Sequence, residues 1–441
     1  MNVARLNCSH GDWDKKRQWI EWIKELSPQI GPVGILADLQ GPKFRIGEVL
    51  GGQLQVSLGQ NLKLGPGPSC QLPVEDKAIL SRIEPGDRVL LGDGDIELDI
   101  QAAEGEDFVG AAVCEGVVKS HQGITVAGKS FDVPALTKKD VEDARLACEA
   151  GVDFLALSYV HKAGDLSELR ELMGDEYRHI KLCAKIESRE AFRAIDEIMA
   201  ASDLIMVARG DLGLQMEIEE VPLAQKRIIA KCNQRGKPVI TATQMLESMC
   251  ESPRPTRAEA ADVANAILDG TDAVMLSGET AAGAYPIESV RMMARIAARA
   301  ETQLDHMARL AERPGHLADP SGSTEAVAHA AVDLATHLKA HAILTTTTSG
   351  HTPRMVSKFR PKAPILCVAW NDMAWRQMSV VWGVEAVRQA IPVDPVKFAG
   401  EEIGAFLDLG RLKVGDTVVV TAGVPPGTPG STNLIYVDTV T

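Results

Sequence analysis

The chain has 441 residues, a formal net charge of −14 and an apolar fraction of 45%. This length and composition are typical of two or three globular domains with large apolar cores. The negative charge argues against nucleic acid or an anionic membrane surface as partner, and no apolar stretch reaches membrane length. The eight cysteines show no CxxC spacing, and several lie in apolar runs, which predicts reduced core thiols in a cytoplasmic protein.

The first part of the chain alternates strands with a helix. Residues 2–9 predict a strand, residues 12–26 a helix and residues 33–39 a second strand that ends at Asp38. From Phe44 the pattern changes to short β-prone runs separated by glycine-rich turns. We therefore predict that residues 1–43 begin a β/α domain and that residues 44–133 form an all-β insert.

The alternation of strands and helices returns after the insert. It continues from a helix at 137–150 to a long helix at 287–304, with apolar runs beginning at Asp153, Lys181, Asp203, Pro238 and Ala273. Together with the two runs before the insert these make seven strands, whereas a closed (β/α)8 barrel has eight. We predict the α/β class, with a TIM-type barrel formed by residues 1–43 and 134–311, and expect its first βα unit to be missing.

A polar stretch rich in proline and glycine, residues 312–322, separates the barrel from a C-terminal region. A helix is predicted there at 324–339, with strands at 341–346, 365–369, 417–421 and 433–438. Residues 323–441 are therefore expected to form a separate α/β domain.

Polar residues close three successive predicted strands. The first ends in Lys185 and Glu187, the second in Arg209, Gly210 and Asp211, and the third in Thr243 and Gln244. Parallel strands of such units all point their carboxyl ends the same way, and that end of a barrel carries the active site. For one pair alone, a salt bridge at a strand end is an equally good interpretation; three ends in series favour an active site.

Seven motifs, in order along essentially the whole chain, resemble those of the pyruvate kinase family. They are VARLNCSHG (3–11), DLQGPK (38–43), AKIE (184–187), MVARGDLG (206–213), ATQMLESM (242–249), PRPTR (253–257) and LSGET (276–280). The resemblance implies a (β/α)8 barrel, a β-barrel lid after its third strand and a C-terminal regulatory α/β domain. By this resemblance, the strand that we expect to be missing is the first strand of the family's barrel.

The activity that the resemblance implies is a phosphotransferase reaction, the last step of glycolysis. Phosphoenolpyruvate gives its phosphoryl group to ADP, yielding pyruvate and ATP, in a cytoplasmic enzyme that is expected to be a homotetramer. By the same resemblance Lys185 would contact the transferring phosphoryl group and the enolate oxygen, and Arg5 the phosphate. The amides of Gly210 and Asp211 would hold the substrate carboxylate, and Thr243 would lie on the side from which the enolate receives its proton.

Metal and nucleotide sites are implied in the same way. Glu187 and Asp211 would bind Mg2+ or Mn2+, for which carboxylate oxygens are suitable ligands. Arg45 and His10 would lie on the nucleotide side of the site, although a lone histidine is more often structural.

Lys43 leads to a separate hypothesis about monovalent cations. In many members of the family a monovalent cation is bound by residues matching Asn7, Ser9 and Asp38, beside a glutamate at the position of Lys43. This chain resembles the potassium-independent branch, and a tethered ammonium would supply the charge otherwise brought by K+. We therefore expect a requirement for Mg2+ but not for K+; the alternative is an exposed lysine beside an ordinary K+ site.

The C-terminal region contains a hydroxyl-rich strand end that leads through a glycine into a helix. Such a turn presents amides and hydroxyls to an anion. The resemblance implies an effector site for a phosphosugar or AMP there, completed by the loop at 422–432. Its residues would be Thr347, Thr348, Ser349, Gly350, His351 and Thr352.

Two alternatives to an active kinase remain open from the sequence. One is a catalytically silent subunit that binds effectors or partners, because the first βα unit is expected to be missing. The other is a metal-dependent lyase acting through a pyruvate enolate, against which the β insert and the C-terminal domain argue.

Overall fold

The computed structural model describes residues 1–92, 94–129, 131, 133–304, 306, 323–390, 398–423 and 432–441. The predicted linker at 312–322 and most of the loop at 422–432 lie outside these residues. The strands, in chain order, are β1 Val3–Asn7, β2 Gly34–Asp38, β3 Gln53–Val56, β4 Asn61–Gly65, β5 Leu72–Pro73, β6 Arg88–Leu91, β7 Ile96–Glu104, β8 Asp107–Ala112, β9 Gly116–Lys119, β10 Ile124–Val126, β11 Phe154–Leu157, β12 Lys181–Ile186, β13 Leu204–Ala208, β14 Val239–Ala242, β15 Ala273–Val274, β16 Ala342–Thr347, β17 Ile365–Ala369, β18 Val384–Arg388, β19 Thr417–Gly423 and β20 Thr432–Thr439.

Helices follow most of the parallel strands, as a β/α architecture requires. They are α1 Trp13–Ile30, α2 Lys77–Leu80, α3 Lys138–Ala150, α4 Ala163–Met173, α5 Arg189–Arg193, α6 Ile195–Ala201, α7 Arg209–Gln215, α8 Val221–Arg235, α9 Arg257–Asp269, α10 Gly278–Ala281, α11 Pro286–Glu301, α12 Ser323–Leu338, α13 His351–Ser357, α14 Asp372–Gln377 and α15 Phe398–Asp408.

The largest sheet is wholly parallel and contains all seven strands predicted for the barrel. Its order is β1-β2-β11-β12-β13-β14-β15, and the register places Asp38, at the end of β2, opposite Asn7 on one side and Ala156 on the other. The α/β class is therefore confirmed. Within the described residues no strand joins β15 to β1, so these two are the edges of the sheet.

The segment between β2 and α3 is all-β apart from the four-residue helix α2, as its glycine-rich pattern predicts. A six-stranded sheet, β10-β6-β7-β8-β4-β5, and the antiparallel pair β3-β9 enclose a core of aliphatic side chains. This insert reaches back to the barrel, since a Cβ atom built on Gly94 would lie 3.3 Å from Leu214 of α7.

The C-terminal sheet has the order β18-β17-β16-β19-β20. Its first four strands are parallel, and β20 is antiparallel to β19. Strand β18 was not predicted from the sequence. Its residues, Val384–Arg388, mix apolar with charged side chains and are not fully buried, unlike the continuous apolar runs from which the other strands were predicted.

The floor of the barrel is closed by the C-terminal region. Met378, Val380 and Val381 belong to the same apolar cluster as Phe154 and Met206 of the barrel strands. The barrel strands and the C-terminal region thus share one core, and the carboxyl ends of the strands remain the open end of the barrel.

Candidate active site

Lys185, on β12, lies at the centre of a buried polar cluster. Its Nζ atom lies 2.7 Å from Oγ of Ser158 and 2.8 Å from Oε1 of Glu187. Oδ1 of Asp38 is 3.4 Å away, within ion-pair distance, but it accepts no hydrogen bond from a described residue. The ammonium therefore has two close acceptors, and a buried carboxylate oxygen faces it on the third side.

These charges settle the protonation of Lys185. Burial alone would lower the pKa of Lys185, but the neighbouring carboxylates of Asp38, Glu187 and Asp211 outweigh burial and raise that pKa above its usual value. The side chain is therefore a cation at any physiological pH.

Glu187 follows β12 and is 2% exposed. Its Oε2 atom accepts a hydrogen bond of 2.7 Å from the backbone amide of Tyr159. Burial raises the pKa of Glu187, Lys185 opposes the shift, and Asp211 adds to it. A divalent cation beside this carboxylate would stabilise its charged form.

Asp38, at the end of β2, joins Arg5 to this cluster. Its Oδ2 atom accepts a hydrogen bond of 2.7 Å from Nε of Arg5, whose side chain is 24% exposed. Burial would raise the pKa of Asp38, but Lys185 and Arg5 outweigh burial and hold the pKa below its usual range. The carboxylate is thus an anion that links Arg5 to Lys185.

The ends of β13 and β14 meet through Gly210 and Thr243. The amide of Gly210 donates to Oγ1 of Thr243 over 2.8 Å, and that hydroxyl donates to the carbonyl of Ala242. Thr243 and Gln244 have φ angles of +67° and +51°, a left-handed conformation that side chains rarely adopt. The Gly210 amide, expected from the sequence to be free for a substrate carboxylate, is therefore occupied by Thr243 here.

Arg209 stands at a strand end but turns away from the polar cluster. Its guanidinium is buried and turned away, donating to the carbonyls of Thr243 and Gln244 and to Asp262. This arginine supports the strand end and does not reach the polar cluster.

Asp211 and Lys43 face each other across the mouth of the barrel. The Nζ atom of Lys43 lies 4.0 Å from Oδ1 of Asp211. A Cβ atom on Gly123 of the insert would lie 3.2 Å from Cε of Lys43. The Lys43 side chain therefore lies between the insert and Asp211.

The other predicted residues do not join the hydrogen bonds of this cluster among the described residues. Arg45 donates to the carbonyl of His121, and the side chain of Asn7 accepts from the amide of Ser9. The backbone carbonyl of His10 accepts a hydrogen bond from Lys16. The exposed side chain of His10 has no hydrogen bond to a described residue.

The predicted effector residues form the turn from β16 into α13. The hydroxyl of Thr347 accepts from the amides of Ser349 and Gly350, over 3.3 and 2.7 Å, so two amides expected to face an anion are already bonded. Thr348 is part of this turn. The hydroxyl of Thr352 lies 2.6 Å from that of Thr432, and burial lowers the pKa of His351 at the first residue of α13.

Sequence reasoning missed the end of β11. Ser158 and Tyr159 bond Lys185 and Glu187 directly. The signal was present, since Ser158 follows the apolar run Phe154–Leu157 at the same end of the barrel as the residues that were found.

The carboxylates of the site fit a hard divalent cation. Among the described residues, no group of three or more His, Cys, Asp or Glu side chains forms a complete metal site. Mg2+, however, is commonly bound by one or two protein carboxylates, with substrate oxygens and water completing the shell. Glu187 and Asp211 are such a pair, each close enough to influence Lys185.

Fold and site together define a class: barrel enzymes whose strand ends bring a buried lysine, an arginine and several carboxylates to one open end. The comparisons with known proteins then give the family. The family models of the pyruvate kinase barrel domain and of the pyruvate kinase alpha/beta domain match residues 1–290 and 325–437. The chain belongs to the pyruvate kinase family.

Curated relatives agree with the domain matches. Pyruvate kinase of Geobacillus stearothermophilus is 43% identical over all of this chain and 76% of its own length. Pyruvate kinase of Clostridium acetobutylicum is 38% identical over all of this chain and 94% of its own length. Pyruvate kinase of Mycobacterium tuberculosis is 40% identical over 99% of this chain and 92% of its own length. The similarity therefore includes the insert and the C-terminal region, which argues against the lyase alternative.

Proposed function

We propose that Lys185, Glu187, Asp211 and Thr243 form the active site with which this member of the pyruvate kinase family transfers the phosphoryl group of phosphoenolpyruvate to ADP, giving pyruvate and ATP. The observation that carries the proposal is the buried Lys185 ammonium at the open end of the barrel, in contact with Ser158 and Glu187 and paired with the carboxylate of Asp38. Phosphoryl transfer depends on positioning and on neutralising negative charge, for which a fixed, permanently charged lysine is suited.

Lys185 would neutralise the charge on the phosphoryl group and on the enolate oxygen. Its ammonium contacts Ser158 and Glu187 at 2.7 and 2.8 Å, whereas Oδ1 of Asp38, 3.4 Å away, accepts no hydrogen bond from a described residue. The donor on the Asp38 side is therefore the one that we expect to turn to the substrate. Arg5, held by the same carboxylate and partly exposed, would then contact the phosphate from the β1 side.

Mg2+ or Mn2+, held by Glu187 and Asp211, would supply further positive charge to the phosphoryl oxygens. Both carboxylates retain lone pairs for a cation, because each oxygen accepts more than one contact.

Gly210 and Thr243 would act as a linked pair. A substrate carboxylate that accepts the Gly210 amide would replace the Thr243 hydroxyl, which is the present acceptor over 2.8 Å. The released hydroxyl would be free to act, through water, on the side from which the enolate is protonated. The amide of Asp211 is proposed as the second donor to the carboxylate.

We propose further that Lys43 makes the enzyme independent of K+. Its ammonium places a fixed positive charge 4.0 Å from Asp211, and Asp38 of the expected monovalent-cation set is already neutralised by Arg5 and Lys185. The monovalent-cation site formed by Asn7, Ser9 and Asp38 would then need no K+.

The remaining proposals concern the nucleotide, the effector and the assembly. Arg45 and His10 would lie beside ADP, under the insert acting as a lid. The turn Thr347–Thr352 would bind a phosphosugar or AMP once the Thr347 hydroxyl releases its amides. We propose a homotetramer in the cytoplasm. No described helix has the length and apolarity to span a membrane.

The test measures pyruvate formation from phosphoenolpyruvate and ADP by the unaltered protein, with Mg2+ present and K+ omitted or added. Turnover without K+ is expected, and Lys43→Glu is expected to make it K+-dependent. Activity that needs K+ in both proteins would reject the Lys43 proposal alone. No turnover under either condition, in a protein that is folded by circular dichroism, would favour the silent-subunit alternative.

A further inference from the structure

The turn that follows β11 places a serine hydroxyl against the buried lysine. Ser158 is 2% exposed. Its Oγ atom donates its single proton to the carbonyl of Leu39 over 2.7 Å and accepts from Nζ of Lys185 over 2.7 Å. Because the proton is committed to Leu39, the lone pairs of the hydroxyl face the ammonium.

The next residue turns its backbone toward the neighbouring carboxylate. Tyr159 has a φ angle of +54°, a left-handed conformation that costs a bulky residue energy. This conformation accompanies the 2.7 Å hydrogen bond from its amide to Oε2 of Glu187. Backbone strain of this kind is concentrated at the functional sites of proteins.

Gly41 is the residue that makes room for this turn. A Cβ atom built there would lie 2.8 Å from Cδ2 of Tyr159 and 3.0 Å from Cβ of Ser158, both closer than side chains pack. The left-handed turn is therefore held between β2 and β12, and its position depends on Gly41 having no side chain.

We infer that Ser158, with the backbone of Tyr159, is a positioning element that keeps Lys185 and Glu187 arranged for divalent-cation binding. The Ser158 hydroxyl shares the ammonium with Glu187, at 2.7 Å against 2.8 Å, and the Tyr159 amide fixes the opposite carboxylate oxygen. This inference rests on the proposed roles of Lys185 and Glu187.

Removal of the hydroxyl has a definite electrostatic consequence. Without Ser158 Oγ, the ammonium is left with the two carboxylates, Glu187 and Asp38, as acceptors. Lys185 then binds Glu187 more tightly and competes with the cation for the same carboxylate. Metal affinity and turnover should both fall, while the substrate contacts made by Arg5 and by the β13 end are unaffected.

The experiment compares Ser158→Ala with Ser289→Ala. Ser289 is fully buried in α11, and its hydroxyl donates to the carbonyl of Tyr285 over 2.7 Å. Ser289→Ala therefore loses a similar buried hydrogen bond that is not part of the Lys185 cluster. Mn2+ binding to the full chain is measured by electron paramagnetic resonance without substrate, beside kcat and the KM for phosphoenolpyruvate. For Ser158→Ala we expect on the order of tenfold weaker Mn2+ binding and a similar loss of kcat, with KM within about twofold.

A second pair of variants tests the turn itself. Gly41→Ala and Gly51→Ala both replace glycines with φ near +70° to +78°, but only Gly41 has neighbours within contact distance. Backbone strain is therefore matched, and weaker Mn2+ binding is expected for Gly41→Ala alone.

Mn2+ affinity of Ser158→Ala equal to that of Ser289→Ala would overturn the inference, as would equal affinities of the two glycine variants. If the unaltered chain has no kinase activity but the Mn2+ difference is found, the positioning role is supported and the proposed function is the part that fails.

Discussion

Lys185 shows how several strand ends can hold one buried charge. Asp38, Glu187 and Ser158 reach it from the ends of three adjacent strands. Burying a charge in this way is tolerated because two carboxylates of opposite charge and a hydroxyl surround it. Removal of the cation would leave two buried carboxylates facing each other.

For Lys185→Met we expect kcat to fall on the order of 10²- to 10³-fold, the usual effect of losing one preorganised electrostatic group. Steady-state kinetics measure the loss. Lys226→Met is the control, because Lys226 pairs with Asp269 on the surface of α8 and is 54% exposed. A Lys185→Met enzyme with kcat within threefold of the unaltered chain would remove Lys185 from the mechanism.

A second buried charge gives a pH dependence. Burial raises the pKa of Asp153 from 3.8 to about 6, although Arg376 is 2.9 Å away. The folded state holds this proton more tightly than the unfolded state, so the stabilisation is complete below about pH 4 and is lost as the pH rises through 6.

Relative to Asp153→Asn, the free energy of unfolding of the unaltered chain should therefore decrease between pH 4 and pH 7. Two pKa units correspond to about 3 kcal/mol. Urea titrations of both proteins at several pH values measure the difference, and parallel profiles would contradict the shift.

At the scale of elements, the site is assembled from strand ends that need their own support. Thr243 and Gln244 follow β14 in left-handed conformations, and Arg209 donates to both of their carbonyls. A buried guanidinium at the start of α7 thus fixes the end of the neighbouring strand, as well as pairing with Asp262 of α9.

Arg209→Met should lower the free energy of unfolding by about 3–5 kcal/mol, because Asp262 and two carbonyls lose a buried partner. Chemical denaturation measures this loss. Arg235→Met, at the exposed end of α8 where Arg235 pairs with Asp196, should cost less than about 1 kcal/mol. Equal effects of the two variants would mean that Arg209 is not a structural residue.

Elements also show what the sequence can and cannot reveal. Continuous apolar runs marked the parallel strands, and the polar residues that close them marked the site, since strand direction alone brings Asp38, Lys185 and Glu187 together. The same logic missed Ser158 because a serine at a strand end is chemically unremarkable until its hydroxyl is seen against an ammonium. The inward turn of Arg209 depends on side-chain packing, which periodicity does not encode.

At the scale of the whole molecule, an arginine joins the barrel to the C-terminal region. Arg360 is almost fully buried and donates to Asp272, Asn233 and the carbonyl of Gly270, all at the floor of the barrel. Its guanidinium also lies over the ring of Trp382, 5.1 Å from the centroid.

Arg360→Met is expected to destabilise the protein by about 3–5 kcal/mol, because the buried carboxylate of Asp272 loses its charged partner. Differential scanning calorimetry measures the change and tests whether barrel and C-terminal region still unfold together. Arg388→Met is the control, since Arg388 pairs with Asp372 at 59% exposure. A melting temperature equal to that of the control would show that Arg360 does not hold the two parts together.

The shared floor also sets the order in which the protein can be completed during synthesis. The amide of Gly34 on β2 donates to the hydroxyl of Ser379, 345 residues later in the chain. When the ribosome has made all seven described strands of the barrel, the residues that cover the floor of the barrel have not yet been made. Until they are, the apolar interior of the nascent barrel stays exposed. Contacts between residues so distant in sequence form slowly, and the exposed apolar surface is prone to aggregation. Folding of this enzyme is thus tied to the rate of its translation and to whatever protects the unfinished chain.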